Sequence, residues 1–267
     1  MTRHAIISDI HSNLEALNAV LAFAKNLNID KHYSLGDVVG YGANPNECVE
    51  LVRNFDALIV GNHTAAVLDE HSDYFEKARD CAAEAMSWTR RALDEKNMDF
   101  LRSFEYVHRI GDFVLSHGSP VCPEEIRYVK DWAFEKPHLV NVEPEFQYLQ
   151  DEGAILLFYG HSHMPVMHLF YGKDEVRKEL IKTHGAIDLK RKRPEYDESI
   201  LFSRGLINVG SVGQPRDGNP RACFVVYDDN RKIIEYHRVE YDVNTASEKI
   251  LMAGLSSHLA DRLFTGD

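Results

Sequence analysis

Five short segments of this 267-residue chain carry side chains that bind divalent cations: Asp9-Ile-His11, Gly36-Asp37, Gly61-Asn62-His63, Ser116-His117-Gly118 and Gly160-His161-Ser162-His163. Asp, Asn and His offer hard oxygen and borderline nitrogen donors, and a mixed set of this kind suits two divalent ions. No single segment decides anything. D-x-H arises by chance, and an isolated histidine at a strand end is usually a hydrogen-bonded surface residue. The set gains weight because each segment follows a short apolar run, and in a sheet-based fold such strand ends converge in space. Gly36, Gly61, Gly118 and Gly160 accompany the donors and would let the main chain turn sharply where a metal lies close to it.

The elements that must position these groups are readable from pattern. His4 to Ser8 reads as a buried parallel strand that stops at Asp9. Ser12 and Glu15 have capping-box spacing, and Leu14, Leu17, Leu21, Ala24 and Leu27 then describe an amphipathic helix. Tyr33 to Leu35 and Ala57 to Val60 repeat the strand-loop pattern. Asn44-Pro45 with Glu47 opens a second helix, and residues 64 to 101 read as largely helical. Asp9, Asp37 and Asn62 thus fall beyond the carboxyl ends of parallel strands.

From Tyr106 the texture turns to short strands, at 106–110, 113–116, 155–159, 166–171, 206–209, 223–227 and 233–239. Gly111-Asp112 and Asp229-Asn230 supply turns. Residues 120–152 read as helix and loop, and a helix near 244–253 ends the chain. Residues 173–198, with the basic run Lys190-Arg-Lys-Arg193, read as a solvated hairpin or insertion. No linker divides the sequence, so residues 1–267 are expected to form a single domain.

Composition narrows the function. The chain is 44% hydrophobic and carries 42 acidic against 30 basic side chains, a net charge of −12. That balance repels nucleic acid and anionic membrane. It still admits a small phosphorylated substrate, since bound cations reverse the local field. Cys48, Cys81, Cys122 and Cys223 form no C-x-x-C pair, which argues against zinc ribbons, redox motifs and a disulfide framework. Nothing before Asp9 resembles a signal peptide, and no apolar run approaches membrane-spanning length. The expectation is a cytoplasmic, non-membrane protein, with the oligomeric state left open.

At the five segments the chain resembles the calcineurin-like metallophosphoesterase superfamily, whose blocks run D-x-H, GD-x-x-G, GNH-[D/E], a later His and GH-[S/T]-H. All five occur here in order. Gly36-Asp-Val-Val-Gly-Tyr-Gly42 and Asn208-Val-Gly-Ser-Val-Gly-Gln-Pro-Arg-Asp217 look like the compact prokaryotic phosphodiesterase and dinucleoside-polyphosphate hydrolase members. The resemblance implies an α/β fold, a four-layer αββα sandwich of two mixed sheets flanked by helices. It implies that Asp9, His11 and His163 hold one metal, that Asn62, His117 and His161 hold a second, and that Asp37 bridges them. Manganese is the first expectation, with iron, zinc, nickel or cobalt as alternatives.

The implied reaction is hydrolysis of a phosphodiester, nucleotide or dinucleoside polyphosphate, in which water held between the ions attacks phosphorus in line. His63 would protonate the leaving alkoxide or stabilise its charge. Two departures bear on this. Thr64 stands where the family has an acid after GNH, and Gly40 stands where protein phosphatases carry an Asp that pairs with the histidine, which makes protein phosphatase activity an unfavoured reading. Arg216 and Asn208 are candidates for substrate contact, Arg216 by gripping a second phosphate. The plainer reading pairs Arg216 with Asp217 in a turn. Tyr41 is a candidate for stacking on a base, with simple packing as its alternative.

Two other functions compete. A metal-dependent nuclease would need a basic groove and aromatic platforms, which an acidic chain does not advertise. A catalytically silent scaffold would be marked by loss of Asp9, Asp37, Asn62 or the paired histidines, and all are present.

Overall fold

Strand β1 (Arg3–Ile7) sets the frame of the molecule, seen here in a computed structural model that describes residues 2–69, 71, 75, 80–129, 142–171, 175–180, 185–189 and 202–267. Alternation along the strand sends Ile6 into the space between two sheets and Ile7 toward helices outside. Strands β2 (Lys31–Ser34) and β3 (Ala57–Leu58) run parallel to it, as their helical connections require. On the other edge β1 pairs antiparallel with β11 (Ala222–Asp228), Ala5 opposite Val226. With β12 (Ile233–Val239) and β9 (Gly185–Asp188) the first sheet has the order β3-β2-β1-β11-β12-β9.

The second sheet is built from β4 (Val107–Ile110), β5 (Phe113–Ser116), β6 (Leu156–Tyr159), β7 (Val166–Tyr171), β8 (Glu175–Leu180) and β10 (Phe202–Asn208), in the order β4-β5-β6-β10-β7-β8. Its central strands β5, β6 and β10 are parallel, and the flanking pairs are antiparallel. Ile6, Tyr33, Phe113, Phe158, Ile207 and Tyr227 fill the space between the sheets. Outside the first sheet lie α1 (Leu14–Ala24), α2 (Pro45–Val52), α3 (Asn62–Leu68), α4 (Asp80–Ala92) and α5 (Glu95–Leu101), which contribute Leu17, Val49, Val67 and Met98 to the outer core. Helix α6 (Glu143–Asp151) covers the second sheet with Phe146 and Leu149. The result is the four-layer sandwich that the resemblance implied.

Four local expectations are revised. The cap of α1 is Asn13, whose side chain accepts from Ala16 N at 3.1 Å. Ser12 is drawn away because its N–H donates to Val38 O and its carbonyl accepts from Asn44 N, with φ at 54°. The stretch read as a solvated insertion supplies β8 to one sheet and β9 to the other, while Lys190 to Arg193 lie outside the described residues. The span 64–101 contains three separate helices among the described residues, and the chain ends in two, α7 (Val243–Met252) and α8 (Ser257–Thr265). These last two pack through Ala246, Ile250 and Leu259 beside Ala85 of α4. No described helix is long and apolar enough to cross a membrane.

Candidate metal centre

Each expected ligand sits in a loop, or at a helix start, just past the carboxyl end of a strand. Asp9 and His11 follow β1, Asp37 follows β2 and Asn62 follows β3, while His117 follows β5 and His161 and His163 follow β6. The first sheet thus supplies four of the groups and the second sheet three, which meet where the two carboxyl edges adjoin. The loops are lashed to one another by main-chain hydrogen bonds: Asp9 N to Gly36 O at 3.1 Å, His11 N to Asp37 O at 2.9 Å, Gly160 N to His117 O at 2.9 Å and Gly213 N to Asp9 O at 2.9 Å.

The backbone there is strained. Asp9, His11, Asp37, His161 and His163 have φ of 53°, 49°, 47°, 67° and 60°, in the left-handed region that non-glycine residues avoid at a cost of about 1–2 kcal/mol each. Only a surrounding structure that over-determines these positions can hold them. Glycine serves mainly where chains crowd: Gly36 has φ of 104°, whereas Gly61 has a negative φ and is required because a Cβ there would overlap the Asp37 side chain.

Both carboxylates divide their oxygens between structure and cluster. Asp9 Oδ2 accepts from His161 N at 3.0 Å, while Asp9 Oδ1 faces Nε2 of His163, His11 and His117 at 3.2, 3.7 and 3.9 Å. Asp37 Oδ1 accepts from His63 N at 2.9 Å and Thr64 N at 3.3 Å; its Oδ2 faces Nε2 of His117 at 3.3 Å and of His11 at 3.9 Å. Asn62 Oδ1 lies 3.2 Å from His117 Nε2, and the Nε2 atoms of His11 and His163 are 3.1 Å apart. The His161 ring packs 4.8 Å from the His117 ring and lies parallel to Tyr128, with centroids 3.7 Å apart.

The chemistry of this donor set fits cations. Nδ1 of His163 lies 2.5 Å from Gln214 O and Nδ1 of His117 lies 2.6 Å from Leu35 O, so each donates there and neutral Nε2 turns a lone pair toward the carboxylates. Lone pairs, carboxylate oxygens and a carboxamide oxygen thus converge in a buried space with too few protons to join them. Asp9 Oδ1 has no hydrogen-bond donor. Such a cluster is stable with divalent ions between its members, or else must capture protons. Without a metal the second outcome shows at His117: burial disfavours its charged form, but Asp37 overrides this and holds the pKa at about 9. Burial likewise opposes charge on Asp9 and Asp37, yet the neighbouring histidines hold both well below the usual carboxylate range. His11 and His63 are pushed down to about 4 and about 3, chiefly by burial.

His63 stands beside the cluster. Its ring meets those of His11 and Tyr41 at centroid distances of 4.8 and 4.3 Å, and it forms with His11 and Asp37 a further group able to hold an ion. Its Nδ1 is buried without a partner, and a Cβ on Gly40 would contact that atom, which shows how close a side chain at position 40 would come to pairing with it. Thr64 is fully buried, and its hydroxyl has no partner.

Among the expected substrate contacts, Arg216 donates to Tyr41 Oη at 3.4 Å and to Gln214 Oε1 at 3.0 Å, and both Arg216 and Tyr41 line a cavity with Asn62, His63 and His161. The turn pair with Asp217 does not form, because Arg238 of β12 takes that carboxylate, Nη1 to Oδ1 at 3.2 Å. Asn208 faces elsewhere. Its amide donates to Gly160 O at 2.8 Å and Ser162 Oγ at 2.9 Å, so it braces the histidine loop from behind instead of facing the cavity. Sequence reading passed over the carbonyls of Leu35 and Gln214, which orient two histidines and leave no side-chain signal, and Tyr128, which stacks on His161.

Comparison with known proteins identifies the family. The model of the calcineurin-like phosphoesterase family matches residues 2–189. An uncharacterized protein of Methanocaldococcus jannaschii is 42% identical over 268 residues, covering 98% of this chain and 97% of that one. The crystal structure of a metallophosphoesterase from Sphaerobacter thermophilus is 33% identical and superposes with a TM-score of 0.77, covering 100% of this chain and 99% of that chain. A hypothetical protein from Pyrococcus horikoshii shares the fold at 18% identity and a TM-score of 0.73, with coverage of 100% and 99%. The chain belongs to the calcineurin-like phosphoesterase family and is a hydrolase of phosphoric esters.

Proposed function

We propose that the chain hydrolyses phosphoester bonds in a small phosphorylated substrate with a pair of divalent transition-metal ions, manganese foremost. Asp9, His11 and His163 would hold one ion and Asn62, His117 and His161 the other, with Asp37 between them. The observation that carries this reading is the convergence of Asp9 Oδ1, Asp37 Oδ2, Asn62 Oδ1 and the Nε2 atoms of His11, His117 and His163, of which His117 and His163 are held as acceptors by the carbonyls their Nδ1 atoms face. Such ions, when bound, acidify water and neutralise phosphoryl oxygens.

The chain's own residues do the rest. Leu35 O and Gln214 O fix the histidine tautomers, and the left-handed loops hold the donors in place before any ligand arrives, so little reorganisation is needed. His63, next to the cluster and aimed into the cavity, is placed to hand a proton to the departing oxygen. Gly40 and Thr64 stand at the two positions from which a family acid would orient its ring, so Asp37 is the carboxylate grouped with it among the described residues. Four free thiols, two of them buried, suit a reducing cytoplasmic setting.

The test is metal removal. Chelator-treated protein should lose turnover of bis(p-nitrophenyl) phosphate, and manganese should restore it as elemental analysis rises toward about two ions per chain. Undiminished turnover by protein containing no transition metal would overturn the reading.

A further inference from the structure

The segment that follows β10 bonds to two of the expected ligands, and these come from different sheets: Asp9 past β1 and His163 past β6. Val212 N donates to Ser8 O at 3.0 Å and Gly213 N to Asp9 O, so the segment runs against the main chain that leaves β1. At Gly213 the approach is so close that a Cβ would overlap Ile10 O. The carbonyl of Gln214 then takes Nδ1 of His163, and Arg216 N donates to His163 O at 3.3 Å.

Ser211 ties these contacts together through one hydroxyl. Its Oγ donates to Asp9 O at 2.8 Å and accepts from Gln214 N at 2.8 Å, and the residue is fully buried. Its own carbonyl accepts from Cys223 N at 2.8 Å, which fastens it to β11. The hydroxyl proton and a lone pair are thus both committed to fixed main-chain partners. Through them Ser211 links Asp9, whose Oδ1 faces His163 Nε2, to the residue whose carbonyl sets the tautomer of that histidine. Without the hydroxyl, Gln214 N is a buried donor lacking its acceptor.

The other half of the cluster is braced differently. His117 Nδ1 faces Leu35 O, and Leu35 is anchored by its own N–H to Ile7 O at 2.8 Å, with the Ser8 hydroxyl 3.5 Å from its carbonyl. Ser211 takes no part in those contacts.

We infer that Ser211 is a positioning residue for the Asp9 and His163 half of the cluster. The ion held there depends on its hydroxyl, and the ion held by Asn62, His117 and His161 does not. The inference rests on two ions being held at the cluster.

The experiment titrates manganese calorimetrically into metal-free protein and follows the same titration by electron spin resonance. Parent protein should take up about two ions. Ser211→Ala should bind one of them at least about tenfold more weakly and the other as the parent does, the scale on which outer partners of metal ligands act. Between those two affinities the variant should show the signal of an isolated manganese ion where the parent shows a coupled pair, a change that lowered stability alone does not produce. Excess manganese should return its kcat for bis(p-nitrophenyl) phosphate toward the parent value, with KM unchanged.

Ser211→Thr keeps the hydroxyl and should restore the parent's binding. Ser211→Cys, a weaker donor and acceptor of similar shape, should fall between and serves if the Ala variant fails to fold. Ser34→Ala deletes a fully buried hydroxyl that has no partner and should leave both affinities unchanged. Parent-like binding by Ser211→Ala, equal weakening of both ions, or the same loss in Ser34→Ala would overturn the inference alone. Parent protein that takes up one ion or none would remove the two-ion reading, and the inference with it.

Discussion

Two buried histidines, one in strand β1 and one just past its end, face opposite fates. His4, 3% exposed, lies between the sheets, stacked on Tyr33 and Tyr227 and edge-on to Phe113, with Tyr33 Oη 3.2 Å from its Nδ1 and Asp229 3.6 Å from its Nε2. His11, 1% exposed, looks instead at two carboxylates and another histidine nitrogen from a left-handed backbone. Burial comes first among the causes that lower both pKa values. Burial and a displaced pKa therefore do not distinguish a structural histidine from a functional one. Convergence of acceptors on strained backbone does.

The sharpest way to break that contrast is Asp37→Asn, which keeps the side-chain volume and removes the charge that faces both halves of the cluster. Turnover should fall by at least about 10³-fold with loss of bound metal, since several kcal/mol of charge stabilisation go with it. Retained metal and activity would show that the acceptor cluster is not the reacting centre. At the structural end the opposite pattern is expected: Phe113→Ala should lower unfolding free energy by about 3–5 kcal/mol in a denaturant titration, with metal content of the folded fraction unchanged. A loss under about 1 kcal/mol would mean the inter-sheet core tolerates the cavity.

His63→Ala sharpens the boundary of the site. It should keep both ions and slow alkyl esters by about 10²-fold, while esters with a p-nitrophenolate leaving group, which need no proton, change far less. Equal slowing of both ester types would assign His63 to metal binding, in line with its place beside His11 and Asp37.

The smallest effect belongs to His4. Its folded pKa lies below the ordinary 6.5, so the unfolded chain takes up a proton that the native state refuses. Stability tied to neutral His4 is complete above pH 6.5 and declines as pH falls through the folded value. Relative to His4→Phe, the parent should therefore lose stability between pH 7 and pH 5, with a slope no steeper than about 1.4 kcal/mol per pH unit. A pH-independent difference between the two proteins would refute the assignment.

By itself the sequence determined every strand but β8 and β9, because β-branched and apolar runs ending at turn or polar residues carry their own signature, and it determined which donors were available, because Asp9, His11, Asp37, Asn62, His117, His161 and His163 stand just past those runs. Tertiary structure decided everything that depends on a partner far along the chain. It inserted β11 antiparallel beside β1, divided β8 and β9 between two sheets, gave Asp217 to Arg238 and left Arg216 to line the cavity, turned Asn208 toward the histidine loop, and brought Arg262 of the last helix to the cavity that Tyr41 also lines. It also forced five ligand residues into the left-handed region, where the energy comes from loops bonded to one another and no local propensity points. Periodicity and turn chemistry act over a few residues. Pairings across the sandwich are settled only when burial and hydrogen bonding of the whole chain are satisfied at once.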